Sequence, residues 1–232
     1  MDERLKGGVG RVAVALFDID ETLIHTGGSG ARSWDHAFQE LFGVPADIHA
    51  HTSAGETDPV VARQTFVAVI GRSPTADELG SLCARYLIHL AEDIWRSEGY
   101  QVLDGVEDTL TRLMHAGVVL GIVSGGMEGA ARTKLAPSNL NRFFLFGGYG
   151  SDSPDRGELT RIAIDRASQL HEGPLDPTEI FVVGDTPHDV EAARAAGVVA
   201  VAVATGTNSA EELRAAGPDH VLTSLLEPFP GG

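Results

Sequence analysis

Apolar residues fall along this chain in two alternating patterns. Val12-Ala13-Val14-Ala15-Leu16-Phe17 is a continuous apolar run, too short for a helix and rich enough in valine to be a strand buried on both faces. It ends abruptly in Asp18-Ile19-Asp20. Similar runs recur at Val118 to Val123, Phe143 to Phe146, Ile180 to Val183 and Val198 to Val203, with helical patterns between them. That alternation predicts an α/β fold built on a doubly wound parallel sheet. The helices carry their own punctuation. Val106, Leu110, Leu113 and Met114 form a stripe closed by Gly117, Gly197 closes Val190 to Ala196, and Ser209-Ala210-Glu211-Glu212 is a capping box opening the last clear helix.

From about Thr26 to Gly99 the rhythm breaks, with helical signals and no convincing strand. Trp34, Phe38, Leu41 and Phe42 share one helix face, and Asp58-Pro59 reads as the cap and first-turn pair of a second helix. Thr75-Ala76-Asp77-Glu78 is a capping box, followed at helical spacing by Leu79, Leu82, Cys83, Tyr86, Leu87, Leu90 and Ile94. The expected division is therefore a sheet domain from 1–25 and 101–232 and an inserted helical domain from 26–100. The insert is entered through Gly27-Gly28-Ser29-Gly30, a run free enough to serve as a hinge. Cys83, on an apolar stripe, reads as a small core hydrophobe.

Composition narrows the partners. Lys and Arg number 17 against 33 Asp and Glu, a net charge of −16, so a phosphate backbone or an anionic membrane surface finds no basic face here. No apolar run approaches the ~20 residues of a membrane span. The charged start Met1-Asp2-Glu3-Arg4-Leu5-Lys6, with no apolar signal core after it, reads as that of a cytoplasmic protein. One cysteine excludes an intrachain disulfide and a cysteine-rich zinc site. Monomer and homodimer both remain open.

In an open parallel sheet, ligands bind beyond the carboxyl ends of the strands. Those ends carry Asp18 and Asp20, then Ser124-Gly125-Gly126, then Gly184-Asp185-Thr186-Pro187-His188-Asp189. Four carboxylates converging in one cleft would destabilise each other unless a cation sat among them, and all-oxygen ligands point to a hard ion, Mg²⁺ before zinc or copper. Ser124 with two following glycines offers a hydroxyl and unobstructed N–H groups to an anion, and phosphate fits. His49-Ala50-His51 has no acid cluster beside it and reads as a polar loop. Gly8-Val9-Gly10 precedes a strand where a dinucleotide fingerprint follows one.

Asp18-Ile19-Asp20-Glu21-Thr22, Ser124 after a strand, and Gly184-Asp185 with Asp189 resemble motifs one, two and four of the haloacid dehalogenase-like superfamily, in matching order and spacing. The resemblance covers nearly the whole chain, because a helical insert after the first motif is where this superfamily carries one type of cap on its Rossmann-like core. It implies Mg²⁺-dependent phosphoryl transfer from a small phosphorylated metabolite, with Asp18 as the nucleophile that forms an aspartyl-phosphate. It also implies that Asp20 protonates the leaving oxygen and then activates water, with burial under the cap raising a carboxyl whose ordinary pKa is near ~3.9. Mg²⁺ would be held by the Asp18 carboxylate, the Asp20 backbone carbonyl and Asp185, with Asp189 ligating directly or through water, while Ser124 and the Gly125 N–H would grip phosphoryl oxygens.

The third motif departs from the superfamily's lysine. Only Lys6 and Lys134 exist, so Arg156, before a helical stripe, is the expected substitute, with Arg161 and Lys134 as alternatives. Ala54-Gly55-Glu56-Thr57-Asp58 resembles the cap loop that reaches toward the leaving group, making Glu56 and Thr57 the candidate substrate readers. Arg32 reads as a solvated charge or a partner for a substrate anion. Within the superfamily, dehalogenases have no use for an acid at Asp20, and phosphonatases need a cap lysine that is absent from Ala31 to Gly99. The resemblance is to phosphatases of the phosphoglycolate type. A phosphomutase, or a silent binder that kept the fold, is the rival reading.

Overall fold

The first apolar run forms β1 (Val14–Phe17), every residue of which is buried. The computed structural model describes residues 11–53, 55–171 and 173–231. The amino-terminal segment with Lys6 and Gly8-Val9-Gly10, and Ala54 of the loop considered above, lie outside the described residues.

After β1 the chain makes a short β2 (Ile24–Thr26), then three helices, α1 (Ser29–Phe42), α2 (Asp58–Ile70) and α3 (Ala76–Asp93), and returns through β3 (Tyr100–Val102). Helix α4 (Val106–His115) leads to β4 (Val119–Ser124), α5 (Glu128–Leu135) to β5 (Phe146–Tyr149), and α6 (Arg156–Ser168) to β6 (Ile180–Gly184). Then come α7 (Pro187–Ala196), β7 (Val199–Val203), α8 (Ala210–Ala215) and β8 (His220–Leu222). Six strands pair in parallel in the order β5-β4-β1-β6-β7-β8. Sequential order therefore reverses at β1, where one half of the sheet winds away through β4 and the other through β6. A crevice opens at such a switch point, just beyond the strand ends.

Both faces of the sheet are covered. One cluster packs Phe17, Leu110, Leu120, Leu135 and Phe144, and the other packs Leu16, Leu159, Val182, Val190 and Leu213. Such side chains contribute about 1.5–3 kcal/mol each in transfer free energy, which makes the sheet the rigid floor of the molecule. A third cluster, around Trp34, Phe38, Phe66, Leu82 and Tyr86, belongs to α1, α2 and α3. The Trp34 and Tyr86 rings stack with centroids 3.9 Å apart.

Several local expectations are redrawn by packing. The run Phe143 to Phe146 is split: Leu140–Phe143 is a 3₁₀ turn and the strand begins only at Phe146. Phe144 is drawn onto Phe17, ring centroids 6.2 Å apart, and the Gly147-Gly148 pair hides the strand from propensity. Met114, assigned to the α4 stripe, is 45% exposed. Thr57, not Asp58, caps α2; Asp58 is its first residue and instead accepts the Met127 N–H at 2.8 Å, tying α2 to the start of α5.

The two crossings between sheet and helices are joined by β2 and β3, an antiparallel pair too short to show in the sequence pattern. The glycine run beside them is stapled. Arg32 donates to Asp93 at 2.6 Å, to the Gly27 carbonyl at 2.6 Å and to Ser97 Oγ at 2.8 Å, and Ser97 Oγ donates to the Thr26 carbonyl. Arg32 is thus exposed, as the reading of a solvated charge expects, but its guanidinium is paired to Asp93, Gly27 and Ser97.

Candidate active site

Asp18 lies one residue beyond β1, Ser124 ends β4, and Asp185 follows β6, so three neighbouring strands deliver their polar tips to one edge. Carboxylate oxygens of Asp18, Asp185 and Asp189 lie within 4.8 Å of one another, and all three residues are buried. Asp189 reaches the group from the first turn of α7, where its Oδ2 accepts the Thr186 N–H at 3.0 Å and hydroxyl at 2.7 Å. It therefore caps the helix and joins the acid cluster at once. Thr22 Oγ1 donates to Asp185 at 3.3 Å.

Arg156 opens α6 and is the cation of this cluster. It donates to Asp18 Oδ1 at 2.9 Å, to Asp189 Oδ1 at 2.5 Å and to the Gly55 carbonyl at 3.0 Å. Burial works against its charge, yet Asp189 and Asp18 hold its pKa above the ordinary arginine value. One guanidinium does not balance three acids. Burial, opposed by Arg156 and reinforced by Asp189, pushes Asp18 up to about 7, and burial with Asp18 and Asp189 pushes Asp185 up to about 8. A hard divalent cation fits this donor set, being bound by oxygen and supplying the missing charge.

Metal binding is therefore expected to raise stability. A raised carboxyl holds a proton in the folded chain that the unfolded chain loses above about pH 4, so the metal-free protein loses stability as pH rises from about 4 to 8. A cation that replaces those protons stabilises more as pH rises. At a hundredfold excess over its Kd it contributes about 2.7 kcal/mol, or roughly 5–11 °C in Tm. Thermal melts with and without EDTA at pH 5.5 and 7.5 check both the gain and its growth.

Asp20 is turned elsewhere. Its Oδ2 accepts from Lys134 Nζ at 2.6 Å, and its side chain is 43% exposed. The burial expected to help it hold a proton is absent in this arrangement, and Lys134, a candidate for the third-motif role, is its partner from α5. Lys134 is itself buried, yet Asp20, Tyr86 and Asp58 hold its pKa high. Arg161, the other candidate, is exposed and reaches only the Ala195 carbonyl, at 3.4 Å.

Ser124 is buried and accepts the Gly126 N–H at 3.2 Å. The N–H of Met127, the N-cap of α5, is taken by Asp58 and the N–H of Glu128, its first residue, by Ser151 Oγ at 3.2 Å, so the anion-binding face there is narrower than an open helix terminus. Gly125 accepts the Asp58 N–H, and a Cβ on Gly125 would stand 2.6 Å from the Glu56 carbonyl; only glycine lets these backbones approach so closely. Above these residues lies a cavity of about 420 Å³, lined by the sheet edge and by α1, α2 and α3. Glu56 lines it; Thr57 does not, being buried with its hydroxyl turned to the Pro154 carbonyl. His49 sits at the cavity wall on a 3₁₀ turn. Cys83 is half-buried, and desolvation pushes its thiol up to about 11, away from nucleophile chemistry.

A sequence model described as haloacid dehalogenase-like hydrolase matches residues 12–197. The chain belongs to the haloacid dehalogenase-like hydrolase family. Relatives agree along its length: a "Phosphoglycolate phosphatase" of Pseudomonas putida is 27% identical over 226 residues, covering 94% of this chain and 79% of that protein. The "Pyrophosphatase PpaX" of Listeria monocytogenes is 25% identical over 228 residues, covering 94% of this chain and 95% of that protein. A crystal structure of a predicted phosphoglycolate phosphatase from Haemophilus somnus superposes with a TM-score of 0.73 at 19% identity, covering 94% of this chain and 96% of that one, and shows the same fold. This haloacid dehalogenase-like hydrolase is an enzyme of the phosphatase type.

Around the acids of this hydrolase stand Glu21, quoted in the first motif without a role, and Thr205 and Gly206, which no motif singled out. Glu21 takes a left-handed backbone at φ 57°, its carbonyl accepts Thr205 Oγ1 at 2.5 Å, and its carboxylate pairs with His25 at 2.5 Å. Gly206 follows on the same loop, and a Cβ there would meet Asp185 Oδ2 at 1.9 Å. Gly206→Ala is expected to displace Asp185 and to lower kcat by about 10²-fold, the scale of a 1 Å misplacement at a reacting centre. Steady-state kinetics of the purified variant check it. Local spacing carries no signal for these residues, because they reach the site from loops more than 180 positions apart.

Proposed function

We propose that this enzyme is a Mg²⁺-dependent phosphatase of small organic phosphate monoesters, acting through an aspartyl-phosphate on Asp18. The observation that carries the reading is Asp18 at the tip of β1, within 4.8 Å of Asp185 and Asp189 and bonded by Arg156 at 2.9 Å. When bound, Mg²⁺ would be held by Asp18, Asp185, Asp189 and the Asp20 carbonyl, and would supply charge compensation for the carboxylates and the phosphoryl group.

The chain's own residues do the rest. The Asp18 carboxylate attacks phosphorus as the ester P–O bond breaks, and Arg156 holds that carboxylate in line. The departing oxygen takes a proton from the Asp20 carboxyl. Water then attacks the phosphoryl group, yields its proton to Asp20, and releases inorganic phosphate and the Asp18 carboxylate. The Ser124 hydroxyl and Gly125 N–H steady phosphoryl oxygens. Substrate sealed into the cavity replaces the water around Asp20 and provides the desolvation its proton-holding role needs. Residues 26–100 act as the cap, which favours small substrates over proteins or duplexes.

The test is release of inorganic phosphate from a panel of small esters with Mg²⁺ and with EDTA. Release that depends on Mg²⁺ is expected. No release from any ester, with Mg²⁺ still bound, overturns the reading in favour of a mutase or a silent binder.

A further inference from the structure

The charge lining the cavity is lopsided. Asp18, Asp20, Glu21, Glu56 and Asp185 all face it, while its lysine and arginine residues, among the described residues, are Lys134 and Arg156. Both cations are already engaged. Arg156 spans Asp18, Asp189 and the Gly55 carbonyl, and Lys134 binds Asp20 with Asp58 as a second carboxylate acting on it. His25 is paired to Glu21.

The rest of the lining is of a different kind. Trp34, Ile48, Val61 and Tyr86 supply apolar surface, and Thr52 and Ser53 supply uncharged polar groups. Glu56 is the carboxylate among them, and His49, on its 3₁₀ turn, adds an imidazole but no fixed positive charge. The Glu56 carboxylate accepts from the Ser53 N–H at 3.3 Å and from the Gln64 amide, both neutral donors that leave its negative charge uncompensated. A phosphate dianion seated at Asp18 adds further negative charge. A leaving group with an anion of its own would enter a space with no uncommitted lysine or arginine among the described residues and one unbalanced carboxylate, and like-charge juxtaposition of that kind is strongly unfavourable.

We infer that the cavity selects monophosphate esters of uncharged or positively charged alcohols and discriminates against esters carrying a second anion, with Glu56 as the discriminating residue. The inference rests on the phosphatase reading and sharpens it. It separates this enzyme from relatives whose names specify phosphoglycolate, an ester with a carboxylate on its leaving group.

Three esters of nearly equal size test it: phosphoglycolate, 2-hydroxyethyl phosphate and phosphoethanolamine, with leaving groups that are anionic, neutral and cationic. The expected kcat/KM for phosphoglycolate is about tenfold or more below that of either other ester. Glu56→Gln is expected to narrow that gap to about threefold, chiefly through KM. Calorimetric titration of the same three esters into the Mg²⁺-loaded Asp18→Asn variant reads binding without turnover and is expected to give the same order. Phosphoglycolate bound or turned over as well as the other two overturns the inference and leaves the phosphatase reading standing. An unchanged gap in Glu56→Gln removes Glu56 as its cause. Absence of turnover for every ester overturns the phosphatase reading, and the titrations then decide the selectivity alone; three titrations without binding heat overturn it as well.

Discussion

Asp18→Asn is expected to lower phosphate release by about 10⁴-fold or more, the scale seen when a nucleophile is removed from catalytic groups acting as a unit. The amide matches the carboxylate in size, so β1 and its packing stay in place, but it is a poor nucleophile and a poor ligand for a hard cation. The same change leaves metal-free stability equal to or above that of the wild type near neutral pH. Burial holds the Asp18 carboxyl well above its ordinary value, so removing the ionisable group removes a cost, and Arg156 keeps Asp189 as a partner. The stabilisation contributed by Mg²⁺ shrinks, because one of three clustered carboxylates is gone. Phosphate release and thermal melts at matched Mg²⁺ check both halves. Turnover retained after rigorous purification removes Asp18 from the nucleophile role.

The sheet was legible because burial on both faces leaves a simple mark. Continuous valine-rich runs have few other uses, and four of the five lie on observed strands. The fifth misled because the strand after it is Phe146-Gly147-Gly148-Tyr149, whose glycines carry no strand propensity and are selected by close packing instead. Three of the four acids expected to converge, Asp18, Asp185 and Asp189, were readable from chain order, since strand ends in a parallel sheet converge by topology, whereas the turn of the Asp20 side chain to Lys134 was not. What spacing does not encode is which cation answers which acid. Lys134 and Arg156 both stood as candidates for one role, and only the fold separates them, Lys134 at Asp20 and Arg156 between Asp18 and Asp189. Thr57 illustrates the limit from the other side. It sits beside Glu56 in sequence, yet a turn into α2 carries its hydroxyl to the Pro154 carbonyl and away from the cavity.

Arg156→Ala is expected to cost activity and stability together. Its guanidinium touches both Asp18 and Asp189, and it also reaches across to the Gly55 carbonyl on the loop before α2. Removing it leaves two buried carboxylates without their counterion, for which about 3–5 kcal/mol of stability is the expected loss. The attacking carboxylate also loses the donor that orients it, worth roughly 10²–10³ in kcat. Arg161→Ala is the control on the same helix: the side chain is exposed, its one bond is a 3.4 Å contact to the Ala195 carbonyl, and its removal changes stability by less than about 0.5 kcal/mol with turnover unaffected. Arg156→Lys falls between them, because a single ammonium replaces one charge but not a planar fork that serves three acceptors. Added Mg²⁺ restores part of the stability of Arg156→Ala by neutralising the unpaired buried carboxylates, yet does not restore kcat, since charge returns without the orientation. Denaturant melts and initial rates across the three variants separate these effects, and equal losses from Arg156→Ala and Arg161→Ala would place the third-motif cation elsewhere.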